Sequence, residues 1–289
     1  MIDPRLKKVL QLMQEIEVGS GDLTTESVPP YSLHSAGRII AESDGIFSGR
    51  EILEILFEPS GNQLKVNWNV EEGSIIEIGN EILSFEGNGA EVLKVRRLIE
   101  WIIGRMSGIA TATKETVNFL EKHGKRLAAG SKVSPIFEVF DRIAFETGGG
   151  IFKRHGLEDT IYITQNHFLY AGGISDVLAR VIEEIGDARR ALKIEIEVNS
   201  FDQFVEANKN NCDIIHLVGL DDKQIKEVFE KGDLNKKPIL QLNTLNDWRD
   251  EYADYFFRFC AIEELLRDVK YFRNKLVIRR NGDKCEEGK

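Results

Sequence analysis

With 289 residues, 42% hydrophobic and 30% charged, the chain can fill one large core or two smaller ones. A formal net charge of -10 repels a nucleic-acid backbone over most of the surface, so no nucleic-acid partner is expected. No apolar run approaches the roughly 18 residues of a membrane span, and the opening segment MIDPRLKKVLQLMQEIE has no small-residue cleavage site; the sequence reads as cytoplasmic and free of membrane.

Leu6, Val9, Leu10, Met13 and Ile16 recur at helical spacing, predicting an amphipathic helix over residues 4–17 that packs on its own domain rather than on a membrane surface. From Ala36 to Gly87 the pattern changes to short strand-like runs, GRIIAES, LKVNW, SIIEIG and EILSFEG, with one helical stretch near Glu51 to Phe57. Asn88 followed by Glu91 predicts a capping box. The stripe Val95, Leu98, Ile99, Ile102, Ile103 and Met106 then carries a connecting helix toward Ser107. Beyond it lie strand-like runs at RLAAG (126), TIYIT (160), KIEIEV (193), DIIHL (213), PILQL (238) and DYFFRF (254), with helical segments at 175–185, 201–207 and 224–229 between them. Strands alternating with helices pair in parallel. A closed barrel and a doubly wound sheet both satisfy this rhythm, and periodicity alone does not choose. The expected division is an α+β domain over 1–107, a strand-helix domain over 108–278 and a tail over 279–289. Cys212, Cys260 and Cys285 lie too far apart for a disulfide framework or a zinc site.

Within KIEIEV a period of two sets Ile194, Ile196 and Val198 on one face and Lys193, Glu195 and Glu197 on the other. The helix-covered face of such a sheet is apolar, so the charges are expected inside, as an ionic network or a ligand site. Glu197, nearest the carboxyl end of its strand, stands where α/β proteins keep their active sites; the bland alternative is a Lys193–Glu195 ion pair. Gly148, Gly149 and Gly150 precede Lys153 and Arg154, a pattern that suits an anion but equally a tight turn. Lys132 and His167 follow their strands in the same way, each readable as a site residue or as a solvated or hydrogen-bonded one. No pair of histidines stands at metal-ligand spacing, and no P-loop or nucleophile-elbow motif occurs. The segment VEEGSIIEIGNEILSFEG has the look of a carrier-domain hairpin but lacks a lysine at the turn.

In order, GDLTT (Gly21 to Thr25), SGIAT (Ser107 to Thr111), Lys132 with Pro135, the glycine triplet, KRHGLED (Lys153 to Asp159) and Asn166-His167 resemble the landmarks of the quinolinate phosphoribosyltransferase superfamily. The likeness spans residues 17–218, and only the strand-helix rhythm continues beyond. It implies an N-terminal open-faced α+β sandwich domain joined to an incomplete parallel α/β barrel, the type II phosphoribosyltransferase architecture. It also implies a homodimer whose partner subunit completes the site. The implied reaction passes ribose 5-phosphate from phosphoribosyl pyrophosphate, with magnesium, to the nitrogen of a small pyridine or other heterocyclic acid in NAD biosynthesis, as nicotinate-nucleotide pyrophosphorylases do. By the same resemblance Lys132 and Glu197 are catalytic. Arg97, Arg105, Lys153, Arg154, His167, Gly149 and Gly150 bind substrate, Arg97 across the subunit boundary.

The departures carry information too. The family's T-R-K-T-x-P-G-L-R reads GSKVSPIFE, so two arginines become Ser131 and Glu138; its H-R becomes Lys153-Arg154, and its I-K-D-N-H becomes Ile163 to His167 with Thr164 and Gln165 at its centre. Each lost charge-assisted contact costs on the order of 1.5–3 kcal/mol, which disfavours quinolinate itself. ITQNHFLYAGG is similar to the ModD branch. L-D-N reads Leu217, Val218, Gly219, and the phosphate-holding S-G-G has no counterpart in ILQLNTLND; Asp221, Asp222 and Asn243 are the candidates to compensate. Val218 and the missing glycines motivate the alternative of a catalytically degenerate homologue with a binding or regulatory role.

Overall fold

The computed structural model describes residues 4–28, 35–59, 64–130, 134–154, 156–236 and 238–280. In chain order these form α1 (Pro4–Val18), α2 (Leu23–Ser27), β1 (Ser35–Ala41), β2 (Gly45–Ile46), α3 (Arg50–Phe57), β3 (Leu64–Trp68), β4 (Ile75–Ile76), β5 (Glu81–Gly87), α4 (Gly89–Lys94) and α5 (Arg96–Lys122). There follow β6 (Arg126–Ala129), α6 (Glu138–Thr147), β7 (Thr160–Ile163), α7 (Gln165–Ala171), α8 (Ile174–Ile185), β8 (Lys193–Val198), α9 (Phe201–Lys209), β9 (Ile214–Val218), α10 (Asp222–Lys231), β10 (Ile239–Leu242), β11 (Phe259–Ile262) and β12 (Asn274–Arg280). Two compact units result, one gathering residues 1–114, 133–149 and 268–289, the other 115–132 and 150–267. The linear division at 107 and 278 cuts the chain differently, because α6 and β12 count with the first unit.

The first unit is built on an antiparallel sheet in the order β12-β1-β5-β3. Ile39, Ala41, Leu83 and Phe85 alternate into its core. Gly37 is required there: a Cβ would stand 2.3 Å from the Phe85 ring. On α3 the spacing of Ile52, Leu53, Leu56 and Phe57 buries one face, and Glu72 supplies the N-terminal cap by accepting from the Gly49 and Arg50 amides, each at 3.0 Å. The connecting helix begins later and runs further than its stripe predicts. Val95 interrupts it at φ -107° and ψ 10°, and α5 continues past Ser107 to Lys122. Asn88 caps α4 through the Ala90 amide, while Glu91 pairs with Lys94 instead of closing a capping box. The carrier-type hairpin is not formed, since β4 pairs with β2 while β5 lies between β1 and β3.

The second unit holds six parallel strands in the order β6-β11-β10-β9-β8-β7. Its end strands β6 and β7 are not paired with each other, and the bridge Ala128↔Ile151 lies at that gap. The barrel is therefore incomplete, as expected. Ile194, Ile196 and Val198 are fully buried, and α9 packs on β8 and β9. One predicted strand is displaced. DYFFRF (254–259) forms a turn and bends, and β11 begins only at Phe259, because Tyr255 stacks on Phe229 and Phe257 packs against Phe229 and Trp248. Among the described residues no helix is long and apolar enough to cross a membrane.

Candidate active site

The second unit concentrates polar chemistry on one face of its strands. Strand register pairs Tyr162 with Glu195, Glu197 with His216, and Val218 with Gln241. The side chains then join across strands. The Glu195 carboxylate meets His216 Nε2 at 2.6 Å, the Tyr162 hydroxyl donates to Glu197 Oε1 at 2.7 Å, and Gln241 Nε2 donates to Glu263 Oε2 at 2.6 Å. The Tyr162 ring lies edge-on to the His216 imidazole at 5.2 Å and under the Arg154 guanidinium at 5.5 Å. Glu195, His216 and Glu263 are buried; Lys153, Arg154, Tyr162 and Glu197 are half-buried.

The alternative reading of a Lys193–Glu195 ion pair is not met. Glu195 belongs to His216, and Lys193 lies 3.7 Å from Asp213. Lys153 lies close enough to Glu195 for its charge to register, yet has no ion-pair partner within 4 Å among the described residues. Arg154 donates from Nε to the Gly156 carbonyl at 2.9 Å. Lys132 lies outside the described residues. His167 is exposed and acts as a cap, its Nδ1 accepting from the Thr164 amide at 3.0 Å. The glycine triplet serves chain geometry. A Cβ on Gly148 would meet Thr113 at 2.5 Å, Gly149 has φ 93°, and Gly150 is buried before the bridge at Ile151. Arg97 and Arg105 belong to the first unit: Arg97 is exposed and pairs with Glu17 at 3.2 Å, and Arg105 makes a bidentate pair with buried Asp141 at 2.7 Å for both bonds.

Burial opposes the Glu195 charge, but the His216 hydrogen bond and the Lys153 and Arg154 charges outweigh it and hold the carboxyl below its ordinary 4.5. Burial pushes His216 below 6.5 in spite of Glu195, and pushes the Lys153 ammonium down against the pull of Glu195. The Tyr162 phenol is driven far up by burial and then by Glu197, so it stays a donor. His216 is thus a neutral imidazole donating from Nε2, with Nδ1 buried and without a hydrogen-bond partner among the described residues.

The downward shifts of His216 and Glu195 mean that the unfolded chain binds more protons, so stability rises with pH. The His216 part is complete above 6.5 and is lost as pH falls through the lower folded value; the Glu195 part goes below 4.5. Urea midpoints are expected to fall between about pH 7 and about pH 5, with His216→Gln flattening that slope. Equal slopes for both proteins would contradict it.

The described residues offer a protein-held magnesium ion few ligands: Val218 has no side-chain oxygen, His216 engages Glu195, Tyr162 engages one oxygen of Glu197, and no three His, Cys, Asp or Glu side chains among them converge on a metal position. Tyr162, Glu195, His216, Gln241 and Glu263 were not singled out as site residues by sequence reasoning. Their signal was the same period of two: in TIYIT and DIIHL a single polar ring interrupts an apolar run, on the parity that register aligns with the glutamates of β8.

Residues 22–107 match the N-terminal domain of quinolinate phosphoribosyl transferase and residues 109–243 match its C-terminal domain. A probable nicotinate-nucleotide pyrophosphorylase (carboxylating) of Methanocaldococcus jannaschii is 30% identical over 94% of this chain and 97% of its own length. A protein of Bacillus subtilis with the same name is 30% identical over 73% of this chain and 72% of its own. The solved nicotinate-nucleotide pyrophosphorylase of Ehrlichia chaffeensis shares the fold, with a TM-score of 0.87 and 22% identity over 96% of this chain and 99% of that one. With both domains matched in order and a 30% identical relative aligned nearly end to end, the chain belongs to the quinolinate phosphoribosyl transferase family.

Proposed function

We propose that the protein transfers ribose 5-phosphate from phosphoribosyl pyrophosphate to a small heterocyclic acid, as its resemblance to the family implies; its relatives are named nicotinate-nucleotide pyrophosphorylases. The observation that carries this reading is Lys153. A half-buried ammonium with no ion pair among the described residues is costly unless an anionic ligand completes it. On the same polar face Glu197, held by Tyr162, keeps one carboxylate oxygen without a hydrogen-bond donor among the described residues.

As the bond from the ribose carbon to pyrophosphate breaks, positive charge develops on the sugar and negative charge on the leaving group. Glu197 stabilises the first, while Lys153 and Arg154 attract the second or the acceptor carboxylate. Lys132 is assigned a part in this by resemblance alone. The acceptor we favour is a monocarboxylate, because Ser131 and Glu138 replace the two arginines that suit a dicarboxylate. The family's homodimer, with Arg97 reaching a neighbouring subunit, belongs to the same proposal.

Phosphoribosyl pyrophosphate at millimolar concentration, with and without magnesium, is expected to raise the melting temperature by several degrees. A flat response under both conditions would count against the reading. Glu263 favours a second one, a degenerate homologue that binds without turnover. Its buried carboxylate, held by Gln241 at the ends of β10 and β11, repels a phosphate, and Val218 supplies no donor. Pyrophosphate release with any pyridine or azole acceptor rules this second reading out.

A further inference from the structure

We propose that Tyr162 is a positioning residue for Glu197, fixing one carboxylate oxygen so that the other faces the reacting sugar; the assignment rests on the phosphoribosyl-transfer reading above. A glutamate near the carboxyl end of a strand has three side-chain torsions and, left alone, samples several orientations. Here Oε1 accepts from the Tyr162 hydroxyl at 2.7 Å, and Oε2 accepts nothing among the described residues.

The tyrosine is itself held on two sides. The Arg154 guanidinium covers its ring at 5.5 Å, and the His216 imidazole abuts it at 5.2 Å. His216 is only 4% exposed and is locked by Glu195 at 2.6 Å. Three strands therefore contribute to one arrangement: Tyr162 from β7, Glu195 and Glu197 from β8, His216 from β9. A neutral phenol is suited to the task. It orients the carboxylate by a hydrogen bond without neutralising the charge that an oxocarbenium-like sugar needs. An arginine or lysine at the same distance would fix the carboxylate equally well and offset its charge.

This role separates binding from turnover. Glu197 acts on charge that appears as the glycosidic bond breaks, so a misaimed carboxylate lowers kcat and leaves donor affinity nearly unchanged. Tyr162→Phe removes the hydroxyl and keeps the ring that Arg154 and His216 pack against, so the fold is retained. We expect its kcat for pyrophosphate release to fall about 10- to 100-fold, with KM for phosphoribosyl pyrophosphate within about twofold of wild type. Unchanged kcat, or a rise in KM alone, overturns the proposal. Wild type that releases no pyrophosphate with any acceptor defeats the transfer reading by itself, and crystal structures of wild type and Tyr162→Phe then decide the positioning. A Glu197 carboxylate that rotates or splits into two orientations in the variant supports it; one that keeps its orientation overturns it.

Discussion

Glu197→Gln lowers the rate of pyrophosphate release by about 100- to 1000-fold while leaving the fold intact. The substitution is chosen to separate charge from geometry. A glutamine oxygen still accepts from the Tyr162 hydroxyl, so the side chain keeps its place and shape, and only the negative charge is lost. If Glu197 stabilises positive charge developing on the ribose carbon, that loss falls on the transition state. The variant then binds phosphoribosyl pyrophosphate nearly as well as wild type and turns it over far more slowly. Stability is a useful control, because exchanging a half-buried carboxylate for its amide changes the unfolding free energy by about 1 kcal/mol or less. Steady-state release of pyrophosphate beside a urea titration checks both halves. A variant within about threefold of wild type would show that the charge has no part in the chemistry.

The largest effect on stability is expected at Asp141→Ala. The Asp141 carboxylate is 0% exposed and receives two 2.7 Å bonds from Arg105, whose side chain is 11% exposed. Deleting the acid leaves the guanidinium in a largely buried setting, beside the Tyr271 hydroxyl, without the carboxylate that receives both of its 2.7 Å bonds. Breaking such a pair from one side costs about 3–5 kcal/mol, a large share of a domain's stability. Removing both charges costs much less, so Asp141→Ala combined with Arg105→Met is expected to recover most of the loss. Urea unfolding of the three variants measures the coupling, and additive losses would show that the pair is energetically unimportant. Arg105 is thereby given a structural role in the first unit beside the binding role that resemblance implies.

What the sequence made legible follows from what a strand must do locally. Ile194, Ile196 and Val198 betrayed β8 because a parallel strand needs a continuous apolar face, and the glutamates between them betrayed the polar interior. DYFFRF misled for the opposite reason. Its aromatic residues look like a strand interior, yet Tyr255 and Phe257 are drawn into packing with Phe229 and Trp248, which no local pattern encodes. The site was half legible. Glu197, Lys153 and Arg154 stand at strand ends or after glycines, positions with a recognisable chemistry. Tyr162 and His216 acquire meaning only once register sets them beside Glu195 and Glu197, and pairing across dozens of residues is not written in either segment. The same holds for β12, whose antiparallel match to β1 joins Asn274 to Ala41.

That match bears on how the protein comes into being. As the chain leaves the ribosome, β1, β3 and β5 emerge early, but β12, which covers the edge of β1 away from β5, is made only after the whole of the second unit. Until residues 274–280 arrive, β1 presents an unpaired edge in the nascent chain, a ready template for a neighbouring polypeptide. Maturation of the first unit is accordingly tied to the emergence of residues 274–280, and the interval before it is when chaperone protection matters most.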